Sequence, residues 1–399
     1  MEQYSEINRL AVFATHPIQY QVSVWRELAA AHNLDIVVHY FSDHSIRGGM
    51  DPGFGLRVAW DIDLLAGYKS VFLDRRADLA HQSGVRIPDA RSVLCQGAFD
   101  WVFISGYTHG FERQIVWLKT LSSYRIVMRG EFSDERAKSQ IGGGGRGLRL
   151  LARDAYLRWF YNHVDSFGVI GTAAKCHLER LGVPGGRLFS SPYNVDSDLF
   201  EKQVQYFRRE ACRRELGIPD DRMVVLFSGK LISRKAPMLL AEAVMQIPER
   251  EQVLTIFVGE GELRTRIEER FRPIMGERLL MTGFVNQSQL GRYLAAADVF
   301  VLPSEFETWG LVVNEAMHFG LPVIVSDGVG CRHDLVAQGK TGLIFRSGDV
   351  HGLSEAIRAF LRMPSLARSM GQSARTRIRN FSTVKAAAGI MEAISGSGS

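Results

Sequence analysis

The stretch Pro303–Val325, P-S-E-F-E-T-W-G-L-V-V-N-E-A-M-H-F-G-L-P-V-I-V, decides how the rest of the chain is read. It follows the apolar run Val299-Phe300-Val301-Leu302, which reads as a buried strand. Thr308 is placed to cap a helix, and Trp309–Phe319 has helical spacing, with Leu311, Val312, Ala316 and Phe319 apolar. Gly320 and Pro322 stop the helix, and Val323-Ile324-Val325 opens the next strand. A strand, a short loop and a helix start together offer unpaired N–H groups and the positive end of a helix dipole. Gly310, in the first turn, lets a ligand approach the backbone. The loop supplies Glu307 and the helix Glu315. Carboxylates at a helix start often do no more than complement the dipole, but Glu315 lies about two turns in, past the dipole's reach.

A second strand–loop–helix lies upstream. The run Met223–Phe227 leads into Ser228-Gly229-Lys230-Leu231-Ile232-Ser233-Arg234-Lys235-Ala236-Pro237. A glycine and two lysines between a strand and a helix suit a diphosphate, whose charge the ammonium groups neutralise while the loop backbone wraps it. Leu254–Gly261 is a strand and turn, and Thr282-Gly283-Phe284-Val285 is a further strand-end loop.

The N-terminal half has the same rhythm. Leu10–Ala14 reads as a strand, T-H-P-I-Q-Y-Q as the loop after it, and Val22–Ala30 as a helix. No G-x-G-x-x-G is present in that loop, which disfavours a dinucleotide dehydrogenase. His16 and Gln19 are binding candidates there, by position at the carboxyl edge of a strand. Leu34–Tyr40, Trp101–Ile104 and Arg125–Met128 read as further strands, and His109 follows the third of these four. Asp51–Tyr68 is aromatic and glycine-rich, an irregular excursion carrying Asp61-Ile62-Asp63. Gly142–Gly145 is a flexible break, followed by a helix over Arg146–His163 in which Arg146, Arg149, Arg153 and Arg158 share a face. Solvated arginines on a packed helix and contact with an anionic membrane both fit that pattern.

The pattern E-x-x-x-x-x-x-x-E, preceded by P-S and followed by A-M-x-x-G-x-P-V-I-V, resembles the signature of retaining GT-B glycosyltransferases of family four. The lysine loop is similar to that family's G-R-L-x-x-x-K-G, with Lys230 at the arginine, Lys235 at the lysine and Ala236 at the last glycine. The resemblance is strong from about Val224 to Phe345 and covers the first half only in outline. It implies an α/β GT-B architecture: two Rossmann-like domains facing an interdomain cleft, the first on the acceptor side and the second holding a nucleotide-sugar donor. The expected divisions are 1–195, 196–378, a terminal helix over 379–394 crossing back to the first domain, and a flexible tail at 395–399. The implied activity is retaining transfer of a hexosyl unit from a UDP- or GDP-linked sugar to a glycan, lipid-linked or small-molecule acceptor. Catalysis would fall to Glu307, Lys235 and His109, the last contacting the donor sugar. Donor binding would fall to Gly229, Lys230, Lys235, Phe284, Val285, Glu307, Gly310, Leu311, Val312 and Glu315, with Glu315 on the ribose. The family's glycine-rich first loop is replaced here by His-Pro-Ile-Gln-Tyr, so His16 and Gln19 stand as acceptor-side candidates. No cofactor and no metal is expected. A GT-B phosphorylase, a sugar-nucleotide epimerase and a non-catalytic nucleotide-sugar-binding module share the same architecture.

Composition bounds these readings. With 399 residues and 46% apolar content, the chain can bury two cores. No stretch reads as a signal peptide or a membrane span, which suggests a cytoplasmic protein with at most peripheral contact at the membrane's inner face. Cys95, Cys176, Cys212 and Cys331 are scattered and read as free thiols. A net charge of +5 suits an anionic small substrate or an anionic surface, whereas nucleic acid would call for denser basic clusters.

Overall fold

The computed structural model describes residues 8–31, 33–51, 53–73, 84–95, 97–134 and 146–396. The expected break at Gly142–Gly145 lies outside them. The chain forms two compact units: one of Met1–Gly49, Asp63–Asn194 and Ser382–Ser399, the other of Met50–Ile62 and Val195–Phe381.

The first unit is built on a seven-stranded sheet. Its order is Lys69–Phe72, Leu34–Tyr40, Asn8–Ala14, Trp101–Ile104, Arg125–Met128, Ser166–Val169, Leu188–Ser190. Every pair in it is parallel. The central strands are continuous apolar runs because helices cover both faces of a parallel sheet. Chain order reverses between Asn8–Ala14 and Trp101–Ile104, so the loops carrying His16 and His109 leave the sheet on either side of that switch point. The terminal helix, Thr383–Ser395, belongs to this unit and runs one residue into the expected tail. It lies against the Leu188–Ser190 strand so closely that a Cβ on Gly389 would sit 1.9 Å from the Ser190 carbonyl oxygen.

The second unit has a six-stranded parallel sheet in the order Leu279–Gly283, Val253–Val258, Met223–Ser228, Val299–Leu302, Val323–Ser326, Gly342–Phe345. In sequence terms this is 3-2-1-4-5-6, the doubly wound Rossmann order. Both units are therefore Rossmann-like, as the resemblance implied. The switch point lies between Met223–Ser228 and Val299–Leu302, whose register pairs Val225 with Val299 and Leu226 with Phe300. The loops that leave these two strands are the lysine loop and the glutamate loop.

The excursion read over Asp51–Tyr68, expected within the first domain, is divided: Met50–Ile62 packs as part of the second unit and Asp63 onward with the first. It is also less irregular than its composition suggested, with short strands at Gly49–Asp51 and Leu56–Val58 pairing as a two-stranded sheet.

Candidate functional site

The lysine loop is shaped by its glycines. Gly229 has φ 146°, its N–H donates to Val258 O at 2.9 Å, and Gly259 N–H donates to Gly283 O at 2.9 Å. A Cβ on Gly259 would lie 1.9 Å from the Gly229 carbonyl oxygen. Three strand-end loops thus pack backbone on backbone, which only glycine permits. Residues Ser233–Lys235 form a single 3-10 turn, and Ala236 caps the Pro237–Gln246 helix in the left-handed conformation, φ 48° and ψ 45°. The resembling motif has glycine at that position. Ala236→Gly is expected to stabilise the unit by about 0.5–1 kcal/mol, the left-handed strain of roughly 1–2 kcal/mol less the extra unfolded-state entropy. A higher urea midpoint at unchanged m-value is the result to look for, and a lower midpoint would refute the strain argument.

The glutamate loop is held from both sides. Glu307 N–H donates to Gly328 O at 3.0 Å, and its carbonyl accepts from Gly330 N–H at 2.9 Å. The helix begins two residues later than expected. It spans Leu311–His318, with Gly310 as N-cap at φ 98° instead of Thr308. Trp309, expected in its first turn, is buried and donates through Nε1 to Asn314 Oδ1 at 2.9 Å. A Cβ on Gly310 would lie 2.9 Å from Leu302 Cδ2. The N–H groups of Leu311 and Val312 fall in the first turn, where no intrahelical acceptor exists.

The two loops meet through charge. Lys235 Nζ lies 2.6 Å from Glu307 Oε2 and is largely buried. Arg234 Nη1 lies 3.4 Å from the same oxygen and donates to Phe306 O at 2.7 Å. Arg234 was not anticipated, although its place beside Lys235 in the motif was a usable signal. Lys230 is paired with Asp51, at 2.7 Å and 2.9 Å to the two carboxylate oxygens. Phe284 and Val285 follow the Leu279–Gly283 strand and are half-buried. Glu315 lies in the body of the Leu311–His318 helix and is 2% exposed. Gly229, Lys230, Lys235, Phe284, Val285, Glu307, Gly310, Leu311, Val312 and Glu315 all belong to this one unit, on or beside the carboxyl ends of its strands. Cys331 is buried here too. Burial, together with the Asp334 and Glu307 carboxylates, pushes its thiol well above the ordinary range, so it is no nucleophile.

His16, Gln19 and His109 belong to the first unit. His16 accepts or donates at Nδ1 with Thr15 Oγ1 at 3.0 Å and packs edge-on against His44. Gln19 is the buried first residue of the Gln19–Ala29 helix. His109 is the N-cap of the Gly110–Leu118 helix; its N–H donates to Glu112 Oε2 at 2.8 Å and its ring stacks on Phe111. The carboxylates of the Asp61-Ile62-Asp63 motif face separate partners. Asp61 accepts from Ser288 N and Oγ, while Asp63 accepts from Leu65 N and Ala66 N. The other Asp-x-Asp, at Asp196, caps the Ser197–Tyr206 helix.

The family described as Glycosyl transferases group 1 matches residues 208–377. The sulfoquinovosyl transferase SQD2 of Arabidopsis thaliana is 32% identical over 192 residues, 47% of this chain and 36% of that one. The D-inositol 3-phosphate glycosyltransferase of Streptomyces coelicolor is 33% identical over 201 residues, 45% of this chain and 42% of that one. The chain thus spans well under half the length of these curated relatives. Two solved structures match nearly end to end. Sucrose-phosphate synthase from Thermosynechococcus elongatus has a TM-score of 0.71 at 22% identity, covering 96% of this chain and 98% of that one. Anabaena Alr3699/HepE in complex with UDP-glucose has a TM-score of 0.68 at 16% identity, covering 97% and 99%. At those identities the likeness speaks for the fold. Residues 208–377 thus form a domain similar to glycosyl transferases group 1, and the chain has the GT-B fold.

Proposed function

We propose that the protein is a retaining, metal-independent glycosyltransferase that moves a hexosyl unit from a UDP- or GDP-linked sugar to a glycan, lipid-linked or small-molecule acceptor. The observation that carries this reading is the Lys235–Glu307 pair, at the switch point of the second sheet and beside the start of the Leu311–His318 helix. A diphosphate leaving group gains negative charge as the bond from sugar C1 to the β-phosphate oxygen breaks. Lys235 and the N–H groups at the helix start supply the stabilisation. The new bond joins C1 to the acceptor oxygen, and the acceptor's proton passes to the leaving diphosphate on the same face. Glu307 orients the sugar hydroxyls, Glu315 takes the ribose, and the loop at Phe284 and Val285 holds the base. We assign His109 to the sugar, and His16 and Gln19 to the acceptor side, on the family resemblance. The Anabaena neighbour, solved in complex with UDP-glucose, supports a uridine donor.

The test is a thermal-shift screen of nucleotide sugars, in which a donor at 100 times its Kd adds about 2.7 kcal/mol of stability. Turnover of the stabilising donor with an acceptor panel then follows, with NMR of the product's anomeric centre. An inverted product defeats the retaining assignment. Turnover that needs phosphate and no nucleotide sugar would indicate a phosphorylase. Conversion of the donor alone would indicate an epimerase, and binding without any reaction a non-catalytic module.

A peripheral membrane contact is proposed for the first unit. Among the described residues, no helix is long and apolar enough to cross a membrane. The Arg146–Asn162 helix nevertheless leaves Leu148 75% and Leu151 69% exposed, and Trp159 lies tilted against Trp117, itself 66% exposed. Arg149 and Arg158 are exposed on the same helix, whereas Arg153 turns to Asp154 and Tyr107 and leaves the expected basic face. Exposed tryptophan and leucine beside arginine suit an anionic bilayer surface. Flotation with vesicles containing phosphatidylglycerol should carry the protein. Trp117→Ser with Leu151→Ser should lower partitioning by at least about tenfold, given roughly 1.5–3 kcal/mol per buried large apolar side chain. Equal partitioning of the variant would exclude this face.

A further inference from the structure

The segment Met50–Ile62 lies over the elements to which donor binding is assigned. Asp51 accepts from Gly53 N at 2.8 Å and Phe54 N at 3.1 Å, a tight turn that presents its carboxylate to Lys230. Gly53 rests on the lysine stem, and a Cβ there would lie 2.6 Å from Lys230 Cδ. The Phe54 ring sits 4.9 Å below the Lys230 ammonium and meets Phe284 edge-on at 5.1 Å. Trp60 approaches the same Phe284 at 6.1 Å. Beyond it, Asn286 Nδ2 donates to Ala59 O at 2.7 Å, and Asp61 accepts from the first turn of the Gln287–Ala296 helix. The segment therefore engages both the phosphate lysine and the base loop.

We propose that Asp51 sets donor affinity by standing on Lys230 where a diphosphate oxygen would otherwise stand. An ammonium has three donors, and the two oxygens of Asp51 take two of them. While the pair is intact, Lys230 presents a neutral ion pair to an incoming diphosphate instead of a cation, and the carboxylate repels the phosphates. Donor binding is then an exchange of anions at Lys230. Burial alone would raise the Asp51 carboxyl, but the Lys230 hydrogen bond and charge hold it below the usual range, so it is fully ionised at neutral pH. This inference rests on the glycosyltransferase reading, because it takes Lys230 as a diphosphate contact.

The experiment is calorimetric binding of UDP and of GDP to the full chain and to Asp51→Asn, Lys230→Ala and the double variant. Asparagine keeps the acceptor oxygen that caps Gly53 and Phe54, so the turn is preserved. Asp51→Asn should tighten binding of the preferred nucleotide by about tenfold, the lower end of couplings between close charge pairs. The gain should vanish in the Lys230→Ala background. Hydrogen exchange at Gly53 and Phe54 should rise when the nucleotide binds wild type. Unchanged or weaker binding by Asp51→Asn overturns the proposal, since a merely structural carboxylate gives that result. A gain that persists without Lys230 also overturns it. If wild type and every variant fail to bind either nucleotide, the donor reading fails first and this inference with it. Wild-type binding without a gain in Asp51→Asn defeats this inference alone.

Discussion

Lys235→Ala is expected to lower kcat by about 10²–10³, the effect of removing one preorganised donor from a developing anion. Lys235 is placed for this. Its stem runs beside Gly229, with Cε 3.9 Å from where a Cβ would be, and its ammonium ends on Glu307. It pairs with the Glu307 carboxylate, which on the proposed function orients the sugar. On that proposal, the same ammonium would lie between two anions as the diphosphate leaves, and its attraction to the phosphate would grow with the charge transferred. That growth makes the loss fall on kcat more than on KM. Lys235→Arg should recover part of the rate, because the charge is retained although the planar guanidinium cannot occupy the same point. Arg234 lies 3.4 Å from the Glu307 carboxylate and offers a second cation to it, so the alanine variant should still fold. Turnover within a few-fold of wild type, at an unaltered thermal midpoint, would remove Lys235 from the mechanism.

Much of the fold was legible because parallel strands covered on both faces are unbroken apolar runs. Leu34–Tyr40, Trp101–Ile104 and Arg125–Met128 occur with the limits read from sequence. The helix after the glutamate loop was misplaced at its start because Thr308 is a good capping residue by type. The actual cap is Gly310, whose φ of 98° is a backbone property that propensity does not report. The candidate donor site was legible as two loops, and their meeting follows from strand order, since chain neighbours of Met223–Ser228 and Val299–Leu302 emerge side by side. What sequence could not supply was the third participant. Asp51, Phe54 and Trp60 lie more than a hundred residues from Lys230 and Phe284, on a segment with no periodicity. Only tertiary packing brings them to the lysine. The same limit applies to Asp61 and Asp63, whose carboxylates the fold assigns to backbone amides or a serine.

Glu315→Ala is expected to raise the donor KM by about 10- to 150-fold with a smaller change in kcat, the equivalent of roughly 1.5–3 kcal/mol for hydrogen bonds to a charged group. The direction follows from where the ribose lies in the reaction. Its hydroxyls are remote from the breaking bond and change little between the bound donor and the transition state. An interaction with them is uniform binding, which appears in KM and leaves kcat nearly alone. The buried position of Glu315, on the same short helix whose start is proposed to face the diphosphate, fits a carboxylate held rigid for that purpose. Truncation of a buried side chain also costs stability, so KM alone is an incomplete test. A donor with a 2′-deoxyribose supplies the missing arm. Wild type should lose affinity for the deoxy donor, whereas Glu315→Ala should bind deoxy and ordinary donors nearly alike, because the partner of the missing hydroxyl is already gone. If the variant still discriminates between the two donors as wild type does, Glu315 does not hold the ribose, and its burial serves the packing of the Leu311–His318 helix instead.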